Sequence, residues 1–254
     1  MDADAHDELR AGLGAVLPGP GGALGAADRL CRACVELLPV DGAAISVTYA
    51  GLSRGTFGSS GDLSRRLDEF QFTYGEGPCL EAATKGLPVL VGDVQDQHQQ
   101  RWPAFTRALQ REGIRAVFAL PVAIARTRVG ALDLFRMRPG PLTEEGLHGG
   151  LWAAELAALP LLDLMNADVD WAAVGEGGSG WEQLASLERV EVYQATGMVI
   201  AQLDVDAAEA LVRLRAYAFA NGMTASEAAW QIVERRVSLS DDGSPGGRPT
   251  GRRT

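Results

Sequence analysis

Apolar residues recur with helical spacing through residues 24–38, at Ala27, Leu30, Cys31, Cys34, Val35 and Leu38. That period predicts a helix with one buried stripe. From residue 44 to 50 the spacing changes to alternation, with Ile45, Val47 and Tyr49 pointing inward, the period of a strand. A Gly/Ser-rich stretch over 51–61 flanks a second strand around Thr56-Phe57. Residues 63–70 read as a short helix. Residues 74–82, YGEGPCLEA, read as a loop that opens a helix, with Pro78 suited to the first turn. A short strand is expected at 88–91, then the polar loop DVQDQHQQRWPAF, then a helix over 105–112. Residues 116–124 and 129–135 read as two strands joined by Ala125-Arg126-Thr127-Arg128, a hairpin. Arg138-Pro139-Gly140-Pro141 breaks the chain. Thr143 then caps a helix running towards Met165, kinked or restarted at Pro160. This order predicts an α+β domain with an antiparallel sheet and flanking helices over residues 22–165. Residues 1–21 read as a loose arm ending in a Pro/Gly cluster.

A second pattern occupies residues 183–237 and contains three short helices. The first carries Val192, Ala195, Val199 and Leu203 on one face and ends near Asp204. Asp206 caps the second, with Glu209 three residues on. That helix aligns Ala207, Ala210, Leu211, Leu214 and Ala218, and Asn221-Gly222 stops it. Thr224 and Glu227 form a capping box for the third, which turns Ala228, Ala229, Ile232 and Val233 inward. Amphipathic helices with such short connections predict an all-α three-helix bundle. Gly197 stands in mid-helix, where Gly costs about 1 kcal/mol against Ala; close packing on its face is the expected compensation. Between the two patterns, residues 166–182 contain Gly-Glu-Gly-Gly-Ser-Gly and read as a flexible linker. The tail over 238–254 is polar and Gly/Pro-rich and reads as disordered, with Arg248, Arg252 and Arg253 in it.

Charge changes the picture of what the bundle binds. The chain carries a formal charge of −10 with a pI near 4.8, whereas dedicated nucleic-acid binders are usually basic. The acid is uneven: from Leu187 onward eight Arg face nine Asp and Glu, a balance of −1. Nucleic-acid binding there would rest on a few placed Arg and not on a broad field. The apolar run LWAAELAALPLLDLM is interrupted by Glu155, Pro160 and Asp163 and is too short to span a bilayer. The N-terminal residues are acidic and show no charged-then-apolar leader. Three Cys without a leader predict reduced thiols in a cytoplasmic protein.

The catalytic inventory is thin. Cys31 and Cys34 have the spacing of a redox or metal pair, but both fall in the apolar stripe. No second Cys pair or nearby His completes a zinc set, so they read as core thiols. His6, His98 and His148 are far apart in sequence and read as surface residues. Gly75-Glu76-Gly77 reads as a tight turn before a helix, since it lacks the Lys and Ser/Thr of a phosphate cradle. Cys79 stands at a helix start, where the dipole lowers a thiol pKa. No metal or cofactor is expected, and no catalytic residue is assigned.

QATGMVIAQL, EALVRLRAYAFANG and SEAAWQIVERR, in that order and without gaps, resemble an ANTAR domain, the RNA-binding module of bacterial transcription antiterminators. Residues 74–82, then DV…D…RWPAF, then GIRAVFALPVAI…GALDLF resemble a GAF domain of the kind found ahead of ANTAR modules in actinobacteria. The resemblances imply a non-enzymatic regulator. A GAF sensor with an unidentified small-molecule signal would precede an ANTAR module that binds stem-loops in nascent RNA as a homodimer. Candidate RNA contacts are Arg213 and Arg215 on the second helix, Arg235 and Arg236 closing the third, Arg189 opening the first, Thr196, and Trp230 as a base-stacking surface. Thr196 stands where the family often has Lys. Arg213 and Arg215 are two apart and diverge by about 200°, so one ligand cannot meet both. Two rival readings are a sensor or protein-interaction module without RNA binding, and a thiol enzyme using Cys79, as in GAF-fold methionine sulfoxide reductases.

Overall fold

The computed structural model describes residues 3–49, 52–96, 98, 101–166 and 189–239. The linker expected at 166–182 and the tail from 238 lie almost wholly outside them. The chain divides into two units, Met1–Glu188 and Arg189–Thr254, each described by itself.

In the first unit the elements run α1 (Ala3–Ala15), α2 (Gly22–Leu37), β1 (Gly42–Tyr49), β2 (Leu52–Ser59), α3 (Asp62–Tyr74), α4 (Pro78–Lys85), β3 (Val89–Val91), α5 (Pro103–Arg111), β4 (Ala116–Ile124), β5 (Thr127–Arg136) and α6 (Glu144–Asn166). The five strands form one antiparallel sheet in the order β2-β1-β5-β4-β3. This is the expected α+β architecture.

Both faces of the sheet are covered. Phe118, Leu120, Leu132 and Leu134 pack with α1, α2 and α6; Val117, Ala119, Ala131 and Phe135 pack with α3, α4 and α5. Two-sided burial explains why β4 reads AVFALPVAI without alternation. It also buries Ala44 and Ser46 of β1, the residues between those expected inward. Pro121 is tolerated within β4 because β3 pairs only with residues Val117 to Ala119, leaving no neighbour to need its missing N–H.

The hairpin turn is tighter than expected. Ile124 pairs with Thr127, so Ala125-Arg126 alone form the turn, with Ala125 at φ 54°. The α6 helix is capped by Thr143, whose Oγ1 accepts the Gly146 N–H at 3.1 Å, and it continues through Pro160.

Residues 1–21 are not a loose arm. Residues 3–15 form a helix whose Leu9 and Leu13 are buried in the core with α2 and α6. The Arg29 guanidinium secures the segment that follows: Nε donates to Val16 O at 2.8 Å, Nη2 to Leu17 O at 2.6 Å, and Nη1 to Pro20 O.

The second unit contains α7 (Val190–Leu203), α8 (Ala207–Ala220) and α9 (Ala225–Val233). Its core is Val192, Ala195, Val199, Ala210, Leu214, Ala218, Ala228, Ala229 and Ile232. Asp206 accepts the Glu209 N–H at 2.8 Å. Thr224 and Glu227 complete a reciprocal capping box. Ala207, expected inward, is exposed at the helix start. Gly197 is also exposed, and a Cβ built there would meet nothing within 4 Å. The close packing expected on its face is absent among the described residues.

Candidate functional site

The first unit holds a buried polar cluster between the sheet and α3–α4. Residues on α3 and β5 point into the same layer because each lies one helical turn or one strand alternation from core residues. Asp68 and Gln71 flank Leu67 and Phe70, and Asp133 falls between Ala131 and Phe135. Asp68, Gln71, Asp133, Ser46 and Cys79 are fully buried. Gln71 bridges two elements: its Nε2 donates to Asp133 Oδ2 at 2.7 Å, and its Oε1 accepts the Cys79 N–H at 2.8 Å. Thr56 Oγ1 donates to Asp68 Oδ2 at 2.9 Å. Asp133 Oδ1 is buried without a hydrogen bond from nitrogen or oxygen, and the Cys79 thiol lies against the side chains of Asp133 and Ser46.

Electrostatics follow from burial. Desolvation, reinforced by the Asp68 charge, raises Asp133 to about 8 despite the Gln71 hydrogen bond. The Asp133 carboxyl is therefore mostly protonated at neutral pH. Burial, with Asp133 and Asp68 nearby, also pushes the Cys79 thiol well up. The helix start does not activate Cys79, because desolvation exceeds the effect of an eight-residue helix. Cys31 and Cys34 are buried free thiols, both raised by burial, Cys34 to about 12.

The glycine-rich turn beside this cluster is structural, as expected, and one of its glycines is obligatory. Gly77 has φ 146°, and a Cβ there would lie 2.3 Å from Gln71 Oε1. Glu76, which the sequence did not single out, reaches the start of α5: its Oε1 accepts the Ala104 and Phe105 N–H groups at 2.7 and 3.0 Å. Pro103 in the first turn and Glu76 together satisfy that helix end. On the edge of the sheet a cavity of about 210 Å³ is lined by Leu90, Val91, Gly92, Asp93, Asp96, His98 and Arg101. Its carboxylates are engaged, Asp93 by Arg115 and Asp96 by His98. No group of His, Cys, Asp and Glu suited to a metal ion occurs among the described residues.

In the second unit the RNA candidates separate. Trp230 is 54% exposed, and Arg235 and Arg236 are exposed just beyond α9. Arg235 sits at φ 58° and Arg236 pairs with Glu234 at 2.9 Å. Arg213 is drawn along α8 to Glu209 at 2.8 Å. Arg215 is mostly buried, and desolvation and the neighbouring Arg189 lower its pKa. Arg189 is 6% exposed and Thr196 8%. The Thr196 hydroxyl donates to Val192 O at 2.7 Å, bonding back within its own helix. The first helix therefore presents neither Arg189 nor Thr196 to a ligand, contrary to expectation.

Two of the three histidines, expected alone on the surface, meet. His6 of α1 and His148 of α6 have ring centroids 5.4 Å apart. No helix is long and apolar enough to cross a membrane among the described residues.

No curated protein matches the chain in sequence. Its structure is similar to the GAF domain of a phosphoenolpyruvate-protein phosphotransferase from Coxiella burnetii, at 16% identity and a TM-score of 0.50 over 68% of this chain and 99% of that one. It is also similar to the GAF domain of an Acinetobacter phosphoenolpyruvate-protein phosphotransferase (12%, TM-score 0.49, 67% and 100%). A third similar structure is a free methionine-R-sulfoxide reductase from Neisseria meningitidis in complex with its substrate (16%, TM-score 0.45, 63% and 89%). At these identities the likeness concerns the fold. The GAF domain family model matches residues 25–149 in sequence. Residues 25–149 of this chain are therefore a GAF domain, a signal-sensing module.

Proposed function

We propose that the chain is a signal-responsive transcription antitermination regulator, in which the GAF domain receives a signal and the C-terminal three-helix unit binds RNA stem-loops. The observation that carries the RNA half is the end of α9. An exposed aromatic, Trp230, stands one to two turns before two exposed cations, Arg235 and Arg236. Unpaired bases of a hairpin loop stack on such a ring while arginines hold the flanking phosphates. The resemblance of residues 187–236 to ANTAR modules names RNA as the partner and implies a homodimer. For the sensor half, the Ser46–Asp68–Gln71–Cys79–Asp133 cluster is the polar group through which a small ligand would be read. Signal and RNA would be coupled by a shift between arrangements of the two units.

The test is a titration of the full-length protein against paired-hairpin leader RNAs at two salt concentrations. Saturable binding that weakens with salt is expected. Trp230→Ala should weaken it about tenfold, within the range of one lost base stack. Arg235→Ala with Arg236→Ala should reduce both affinity and salt sensitivity. Absence of saturable binding by the full chain and by residues 183–254 would overturn the RNA reading.

The second reading, a sensor and protein-interaction module without RNA binding, has one observation behind it. Val190 of α7 and Val212 of α8 are 55% and 60% exposed, whereas Arg189, at the start of α7, and Thr196 within it are buried. Retention of a protein partner by a chain that binds no RNA would favour it.

A further inference from the structure

The first unit carries a second cluster, unrelated to the polar layer above. The His6 ring of α1 stands edge-on to His148, at 5.4 Å and 69°, and to Trp152, at 5.5 Å and 86°, both on α6. One turn along, α1 places Leu9 against Gly149 of α6, where a Cβ would lie 2.9 Å from Leu9 Cδ2. His6 Nε2 and His148 Nδ1 are both buried with no hydrogen-bond partner. We propose that this His6–His148–Trp152 contact is a proton-operated latch that docks α1 on α6 at neutral pH and releases it in acid.

The chemistry follows from the two buried nitrogens. A neutral imidazole has one N–H and one bare nitrogen. The docked geometry suits the tautomers that leave the buried nitrogen bare and the other nitrogen carrying the hydrogen. Protonation forces a hydrogen onto the buried nitrogen, where no acceptor waits, and an unpartnered buried donor is costly. Undocking α1 gives that N–H to water. A second proton adds a like charge about one ring contact away, in an environment poorer in water than the surface. The Trp152 face can offset one charge as a cation–π partner, but not both. Histidine is the side chain whose charge ordinarily changes in this pH range.

The charged neighbours do not supply the missing acceptor. Asp7 and Arg10 of α1, Glu36 from the last turn of α2, and Glu144, Glu145 and Glu155 of α6 are all exposed. None of them is hydrogen-bonded or ion-paired to either ring. The latch acts on α6, the last helix of the unit among the described residues.

The experiment is hydrogen–deuterium exchange of the full chain between pH 5.5 and 8, corrected for intrinsic exchange rates, with His98→Gln as a control. Ring resonances of the three histidines are followed by NMR in parallel. In the unaltered chain, amide exchange across residues 3–15 should rise at least tenfold on acidification while α2 stays protected, and the ring resonances of His6 and His148 should change over the same pH interval as that exchange. The His6→Phe/His148→Phe chain keeps the aromatic packing and should hold α1 protected across the whole range. Protection of α1 that is independent of pH in the unaltered chain would overturn the latch. So would an equal pH response in the double variant.

Discussion

Gln71 and Asp133, 62 positions apart, are joined by a 2.7 Å hydrogen bond at the centre of the GAF domain, with Gln71 Nε2 donating to Asp133 Oδ2. The bond ties α3 to β5, and the other end of the same amide accepts the Cys79 N–H, so one side chain fixes three elements. It also leaves a carboxyl in the interior whose pKa is raised from 3.8 to about 8. The sign for stability is fixed by that direction. The folded protein holds a proton that the unfolded chain releases, so the contribution is fully present below about pH 4 and is lost as pH rises through 8. Asp133→Asn keeps an oxygen for Gln71 and removes the titration. Relative to the parent chain, its Tm should rise steadily from pH 5 to 8.5, by several degrees at the alkaline end. A constant difference across that range would show that Asp133 does not carry the proton.

Glu76 binds the first free amides of α5 from outside the helix, at 2.7 and 3.0 Å. Trp102, the capping residue, provides no side-chain acceptor of its own. Glu76→Ala should cost about 1 kcal/mol, the usual value of a lost N-cap. Glu76→Gln keeps an acceptor and should recover part of it. Urea unfolding of the three proteins checks the order.

Arg29 holds the carbonyls of Val16, Leu17 and Pro20 with one guanidinium. Hydrogen bonds to a charged donor are worth about 1.5–3 kcal/mol each when buried. Partial exposure here reduces the sum, so Arg29→Ala should cost about 2–3 kcal/mol. Arg29→Lys should recover little, because an ammonium cannot span three carbonyls in a fixed fork. Exchange protection over residues 14–20 and Tm measure both.

What the sequence disclosed was local. Asp206, Thr224 and Glu227 act within three residues of themselves, and their caps form where the pattern put them. The 116–124 and 127–136 strands were visible because hairpin partners are adjacent in the chain, although the turn closed two residues earlier than expected. What the sequence concealed depends on distant partners. Nothing near Gln71 announces Asp133, and nothing near Glu76 announces the α5 amides. The α1 helix was missed because its apolar signal is only Leu9 and Leu13 among Ala, Gly and acids, and its burial comes from α2 and α6. Thr196 and Arg189 were read as contacts from their places in the ANTAR-like first helix, Thr196 where the family often has Lys and Arg189 at its start. Their helix turns them inward, where Thr196 bonds back to Val192.

Gly197 offers the sharpest test of the C-terminal unit. It lies in the middle of α7, is exposed, and has open space where a Cβ would stand. Within one unit there is thus no packing reason for glycine, and Gly197→Ala should stabilise the helix by about 1 kcal/mol. In a bundle this small that is a rise in Tm of roughly 4–8 °C. The homodimer implied by the ANTAR resemblance sets a different expectation if its interface runs along this face. A helix from a second copy would approach closest at a glycine, and an added methyl would separate the two. Tm and sedimentation of the full chain, measured together over a range of concentrations, distinguish these cases. A concentration-independent rise in Tm with unchanged sedimentation is the outcome this geometry predicts. A fall in Tm with loss of the dimer would place another α7 against Gly197.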